Sequence, residues 1–215
     1  MSTVEEVFKA HQKHPPNDAA FYELGNGLAP WGDYGQVFVN GGYGRSEDDA
    51  AFWGLQRPGP YFPPIFFAGG LIVTETSKTN FEKSGLKGFS FSEVPVVKAI
   101  YIPWHTWDLT AEDPKFYPED QNPIGYLEDL PHDENLAATF ETFWKLEYTE
   151  GAQEHRIKVD EKCWHDRIYL IASTWNGADF FHANETKRIY ISAKAFDWLR
   201  SNYEPWFRVE QALIK

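Results

Sequence analysis

The stretch LIVTETSKTNFEKSGLKGFSFSEV, residues 71–94, reads as a short apolar run, a polar cap, a helical stretch, a glycine turn and a second apolar run. The same classes of residue return without a gap, offset by 118 positions, in IYISAKAFDWLRSNYEPWFRVEQA, residues 189–212. Ile72 and Val73 align with Tyr190 and Ile191, Thr74 with Ser192, Phe81 with Leu199, Phe89 with Phe207 and Phe91 with Val209. A Thr or Ser placed just after an apolar strand offers a side-chain oxygen to the unpaired N–H groups of a starting helix. Ala195, Trp198 and Leu199 fall at i, i+3 and i+4 and define one helical face, where the first copy has Ser77, Asn80 and Phe81. The second helix is therefore expected to be the more deeply buried, and Phe81 to matter no more than Leu199. Gly85 and Gly88 close the first helix and Pro205 the second. The expected class is α+β: a strand-rich mixed sheet with two similar strand–helix–strand units, about 71–94 and 189–212.

Outward from these segments the other elements follow. Ser2 and Glu5 form a capping-box pattern for a helix that must end by Pro15 and Pro16. GQVFVN, 35–40, reads as a strand running into a turn, EDDAAFWGL, 47–55, as a helical turn or two, and GPYFPPIFFAGG, 59–70, as loop. VVKAIYI, 96–102, is a strand, and NLAATFETFWKLEY, 135–148, fits helix or strand. HRIKVDE, 155–161, and RIYLIAS, 167–173, are strands expected to pair antiparallel.

With 42% hydrophobic and 17% aromatic residues, 215 residues suffice for one domain, or for two lobes, 1–104 and 136–215, joined by an acidic, proline-rich segment, 105–135. No basic stretch followed by an apolar one opens the chain, and no apolar run reaches the roughly 18 residues of a membrane helix. A cytoplasmic chain without membrane contact is expected, and the single cysteine, Cys163, agrees with a reducing compartment. A net charge of −12 repels nucleic acid and attracts a basic partner.

Most of that acidity is gathered in one place. Asp108, Glu112, Asp113, Glu119, Asp120, Glu128, Asp129, Asp133 and Glu134 follow one another with Lys115 as the only strong base among them, and prolines at 114, 118, 123 and 131 exclude a long helix. Trp104, Trp107, Phe116, Tyr117, Ile124, Tyr126 and Leu127 are interleaved with the acids, unlike a solvated tail. The nine acids together with Tyr126 are the candidate contact surface for a protein partner.

At this point the residues resemble a family. A strand, a Ser or Thr, a helix and then GLKGFSFSEV are similar to the recurring ending of the Imm11 or DUF1629 type of bacterial immunity protein, and TWNGADFF, 174–181, is similar to the W-x-G-x-D-h-F (h, apolar) that precedes the terminal unit there. The likeness covers residues 66–94 and 167–213 and is carried by Trp175, Gly177, Asp179, Phe181, Ser192, Leu199 and Phe207. Glu204, Pro205 and Trp206 depart from it, standing where the first copy has its glycines. The resemblance implies a protein that binds and neutralises a cognate toxin encoded by the adjacent gene, with no catalytic residues, cofactor or metal. An acidic inhibitor suits a toxin with a basic cleft, such as a nuclease.

The rival reading is an enzyme. KCWHDR brings Cys163, His165 and Asp166 together as nucleophile, base and orienting carboxylate, and Cys163 and His165 can share a strand face. His105 with Asp108 invites a metal reading, but no second histidine stands at ligand spacing. The glycines of residues 25–44 match no phosphate-binding motif. Nine tryptophans leave a carbohydrate-binding module as a third reading, weakened by the missing export signal.

Overall fold

The computed structural model describes residues 3–45, 52–158 and 166–215. The chain runs α1 (Val4–His11), β1 (Phe21–Asn26), α2 (Asp33–Asn40), β2 (Gly42–Arg45), β3 (Trp53–Gly59), β4 (Ile65–Phe67), β5 (Leu71–Thr74), α3 (Glu75–Lys83), β6 (Phe89–Val94) and β7 (Val96–Tyr101). It continues through two short helical turns, α4 (Gly125–Glu128) and α5 (Glu134–Ala137), to a long strand, β8 (Phe143–Ile157). Then follow β9 (Arg167–Ile171), β10 (Phe180–Ala183), β11 (Ile189–Ser192), α6 (Ala193–Tyr203) and β12 (Phe207–Gln211).

The fold is α+β with a strand-rich mixed sheet. Among the described residues that sheet holds nine strands, in the order β12-β1-β11-β10-β8-β5-β4, with β6 and β9 also paired to β8. Only β10 runs parallel to β8, which makes the sheet mixed. Strands from before residue 105 and after residue 135 are thus hydrogen-bonded together. A second sheet, β2-β3-β7, packs Leu55 and Val96 against Phe66, Ile72 and Phe143 of the first.

Two local arrangements repeat a register. β8 lies between β5 and β6, antiparallel to both, so Trp144 faces Val73 on one edge and Glu93 on the other. β1 lies between β11 and β12 in the same way, and Tyr22 faces Ile191 and Gln211. Val73 and Ile191, and Glu93 and Gln211, each differ by the 118 positions of the sequence offset. The caps correspond too: the Thr74 hydroxyl accepts from Ser77 N at 3.3 Å and the Ser192 hydroxyl from Ala195 N at 3.2 Å.

Both helices contribute to one apolar cluster that also takes Tyr22, Val73, Leu146, Ile191 and Val209 from the sheet. α6 buries Ala195, Phe196, Leu199 and Tyr203, and α3 buries Ser77 and Phe81. The second helix is the more deeply buried, as its pattern implied, but Phe196 leads its inner face and Trp198 is only half-buried. Phe81 touches the rings of Trp198 and Tyr203, at 4.7 and 5.8 Å between centroids, and so joins α3 to α6.

Several expectations change. The capping box is made by Thr3 and Glu6, one residue later than Ser2 and Glu5, and it directs Val7 and Phe8 inward; Ser2 lies outside the described residues. GQVFVN is helix α2, not strand: tertiary packing of Phe38 against Trp104, Trp107 and Tyr126 overrides its β-branched composition. Gly35 makes that helix possible, since a Cβ there would stand 1.8 Å from the Pro30 carbonyl oxygen. Trp53–Gly59 is a strand rather than a helical turn, residues 46–51 lying outside the described residues, and Ile65–Phe67 in the expected loop pairs with β5. The ambiguous stretch 135–148 resolves into the end of α5 and the start of β8, and β8 pairs with β9 antiparallel from Gln153–Ile171 to Ile157–Arg167.

Candidate partner-binding surface

The acidic segment is a packed layer, not a free loop. Three of its aromatics turn inward onto α2: Trp107 and Tyr126 lie 5.3 and 4.8 Å from Phe38, and Trp104 stacks on the same ring at 6.2 Å, while Phe116 stays exposed against Trp107 and Tyr126. Trp31 Nε1 donates to the Ala111 carbonyl at 2.9 Å and the Tyr34 hydroxyl to the Gln121 carbonyl at 2.6 Å, so α2 and the residues just before it pin the segment at two points. Trp31 holds a φ of 63°, a left-handed conformation that bulky residues rarely adopt.

Tyr126 is 2% exposed and its hydroxyl donates to the Phe116 carbonyl. As a direct contact residue it is therefore corrected: its ring anchors the segment, and burial pushes its phenol well up. The carboxylates face the other way. Asp108, Glu112, Asp113, Glu119, Asp120, Glu128, Asp129 and Glu134 are exposed and Asp133 is half-buried.

Some of these acids shape the segment. Asp108 accepts from the Thr110 hydroxyl at 2.6 Å and from its N–H at 3.0 Å, which holds its carboxyl below the usual range. Asp120 accepts from Asn122 N at 2.8 Å, and Asp133 caps α5 through Leu136 N at 2.9 Å. Asp113 accepts from the Tyr117 hydroxyl, a bond that pushes this phenol up to about 12.

Sequence reasoning missed the groove beside this segment. Two concavities of about 500 and 630 Å³ lie between α1 and residues 105–112 and share Val7, Leu109 and Thr110. Pro30, Trp31 and Ala111 extend one, and Val4, His105 and Trp107 the other. Glu6 and Glu112 stand on the first and Asp108 on the second, and among the described residues no Lys or Arg lines either. The sequence signal was Leu109, an apolar residue amid polar neighbours whose burial needs a partner element.

The residues of the family resemblance are structural. Asp179, 6% exposed, accepts from the Ser192 hydroxyl at 2.8 Å and from Lys87 N at 3.0 Å. It thereby links the cap of α6 to the turn after α3. Trp175 Nε1 donates to the Ala178 carbonyl at 2.8 Å, Gly177 takes a φ of 90°, and Phe181, Leu199 and Phe207 are buried.

Of the enzymic residues, Cys163 and His165 lie outside the described residues, and Asp166 pairs with Arg156 at 3.6 Å. His105 lies flat on Tyr61, 5.4 Å away, and burial lowers its pKa. Among the described residues no three His, Cys, Asp or Glu side chains gather as a metal site. Arg57 is fully buried over the rings of Phe66 and Phe62, at 4.1 and 5.7 Å, and donates to the Val39 carbonyl at 2.8 Å. Burial lowers its pKa to about 9. Comparison with protein-family models, with curated proteins and with solved structures finds no match to this chain.

Proposed function

We propose that this chain is an inhibitor of the immunity type, which binds a cognate toxin encoded by the neighbouring gene, acts in the cytoplasm, and works by contact rather than catalysis. One observation carries the reading: eight carboxylates of residues 108–134 are exposed on a segment whose Trp104 and Tyr126 rings are buried against α2 and whose backbone is pinned by Trp31 and Tyr34. A fixed acidic surface attracts a basic partner without ordering a loop on binding, so little affinity is lost to conformational entropy. The two strand–helix–strand segments are equivalent units in this reading, and the shared register around Trp144 and Tyr22 supports it.

The test is a kinetic binding measurement against the product of the adjacent gene at low and high salt. Changing Glu112 and Glu119 to Gln and Asp113 and Asp120 to Asn should slow association about tenfold at low salt and flatten its salt dependence, with dissociation little changed. Absence of binding, or a neighbouring gene that encodes a metabolic enzyme, would refute the proposal.

A further inference from the structure

α1 and residues 105–112 bound an open groove with two kinds of lining. Its apolar lining is Val4, Ala10 and Trp31, which keep exposed surface, set on the buried Val7, Pro30 and Leu109, and Glu6, Asp108 and Glu112 make it anionic. Its two concavities, about 500 and 630 Å³, fall in the range of roughly 300–1,000 Å³ typical of ligand pockets. Exposed apolar surface favours burial under an apolar group, and the one-signed charge selects which group arrives.

Phosphate-bearing ligands are opposed by this charge, since among the described residues no Lys or Arg lines the two concavities to receive them. A bare cation gains nothing from the apolar lining. A protein segment that presents an aliphatic side chain between lysines or arginines satisfies both: the aliphatic group covers Val4, Ala10 and Trp31, which keep exposed surface around the buried Val7 and Leu109, while the cations meet Asp108 and Glu112. Asp108 is well suited to this, because its two hydrogen bonds from Thr110 keep it ionised and fixed.

We infer that this groove is the seat of a short basic, amphipathic segment of a protein partner. The inference rests on the reading of the chain as a protein-binding inhibitor and assigns the place and chemistry of one contact. Flexible Lys and Arg stems pack along apolar surface with their charged ends free, so the segment needs no fixed secondary structure.

The experiment titrates ¹⁵N-labelled protein with three synthetic peptides: one of leucines and lysines, its counterpart with glutamate in place of lysine, and a lysine hexamer. The leucine–lysine peptide should shift the amides of Val7, Leu109, Thr110 and Glu112. Ala10→Arg and Ala111→Arg, both at exposed positions, should each weaken that peptide at least tenfold while circular dichroism stays unchanged. The glutamate peptide should not bind, and the lysine hexamer should bind more weakly without moving Val7 or Leu109.

Equal binding of the glutamate peptide or of the hexamer, shifts that map elsewhere, or unaltered affinity in Ala111→Arg would overturn the assignment. Concentration-dependent shifts of the groove amides without peptide would overturn it too, by giving the groove to a second copy of the chain. The two proposals fail separately. If the adjacent gene's product binds Ala111→Arg as tightly as the parent, the groove is wrong and the inhibitor reading stands. If that product does not bind at all while the leucine–lysine peptide does, the opposite holds.

Discussion

Replacing Phe81 with alanine should be among the most destabilising single changes in the chain. The ring is fully buried and meets Phe89, Phe91, Phe180, Trp198 and Tyr203 at 5.7, 6.3, 5.7, 4.7 and 5.8 Å between centroids. Those neighbours belong to β6, β10 and α6, three elements fixed by different hydrogen bonds, so they cannot move together to close the space. Truncation to a methyl group empties on the order of 100 Å³, which at about 24 cal/mol per Å³ costs about 2 kcal/mol. Lost transfer free energy adds about 2 kcal/mol more, and the lost ring contacts place the sum at about 4–5 kcal/mol. For a chain of this length that is a drop in Tm of roughly 8–20 °C. Leu199→Ala, also at a fully buried site, should cost less, about 3 kcal/mol, the reverse of the order implied by the helical patterns. Thermal and urea unfolding of both variants, with Phe81→Leu as a partial refill expected near 1–2 kcal/mol, decides the point. A Phe81→Ala protein more stable than Leu199→Ala would refute the reasoning and mean that the two helices do not lean on one another through this ring.

Other outcomes follow from single sites. Gly35→Ala should cost several kcal/mol, roughly 2–4, because the added methyl meets the Pro30 carbonyl; urea unfolding reads it, and a neutral effect would contradict the close approach. Tyr126→Phe should cost about 1 kcal/mol through the lost bond to Phe116 while leaving dissociation from the adjacent gene's product unchanged, since the ring is internal. Burial lowers the folded-state pKa of His14 and His105 below 6.5, so the unfolded chain takes up these protons first as pH falls. The stability these groups contribute is present above about pH 6.5 and lost below it; urea midpoints from pH 7.5 to 5 should show the slope, and His105→Gln should flatten part of it.

What was legible in the sequence was what local chemistry fixes. Thr74 and Ser192 announced their helices because an N-cap acts over three residues. Of HRIKVDE, residues 155–157 pair antiparallel with residues 167–169 of RIYLIAS as expected, residues 159–161 lying outside the described residues. That β8 would lie between β5 and β6, and β1 between β11 and β12, was not legible. β8 and β1 come from opposite ends of the chain relative to the helices they serve, and nothing in either stretch names its neighbours.

The groove was hidden for a related reason that comes down to α2. Residues 35–40 carry Val, Phe and Val, whose local preference is extended, and only contacts with Trp104, Trp107 and Tyr126, far along the chain, make them helical. As a strand, this stretch would leave Trp31 without its left-handed entry into the helix and without its hydrogen bond to Ala111. Residues 109–112 would then have no wall to stand against, and the acids between 108 and 134 would read as a solvated loop. Of the aromatics that seemed available to a partner, Trp104, Trp107 and Tyr126 are spent on α2, which in the proposed reading leaves recognition to the carboxylates and to the groove beside Leu109. A variant that unfolds α2, such as Val37→Pro, should therefore abolish partner binding while every groove residue stays in place in the sequence.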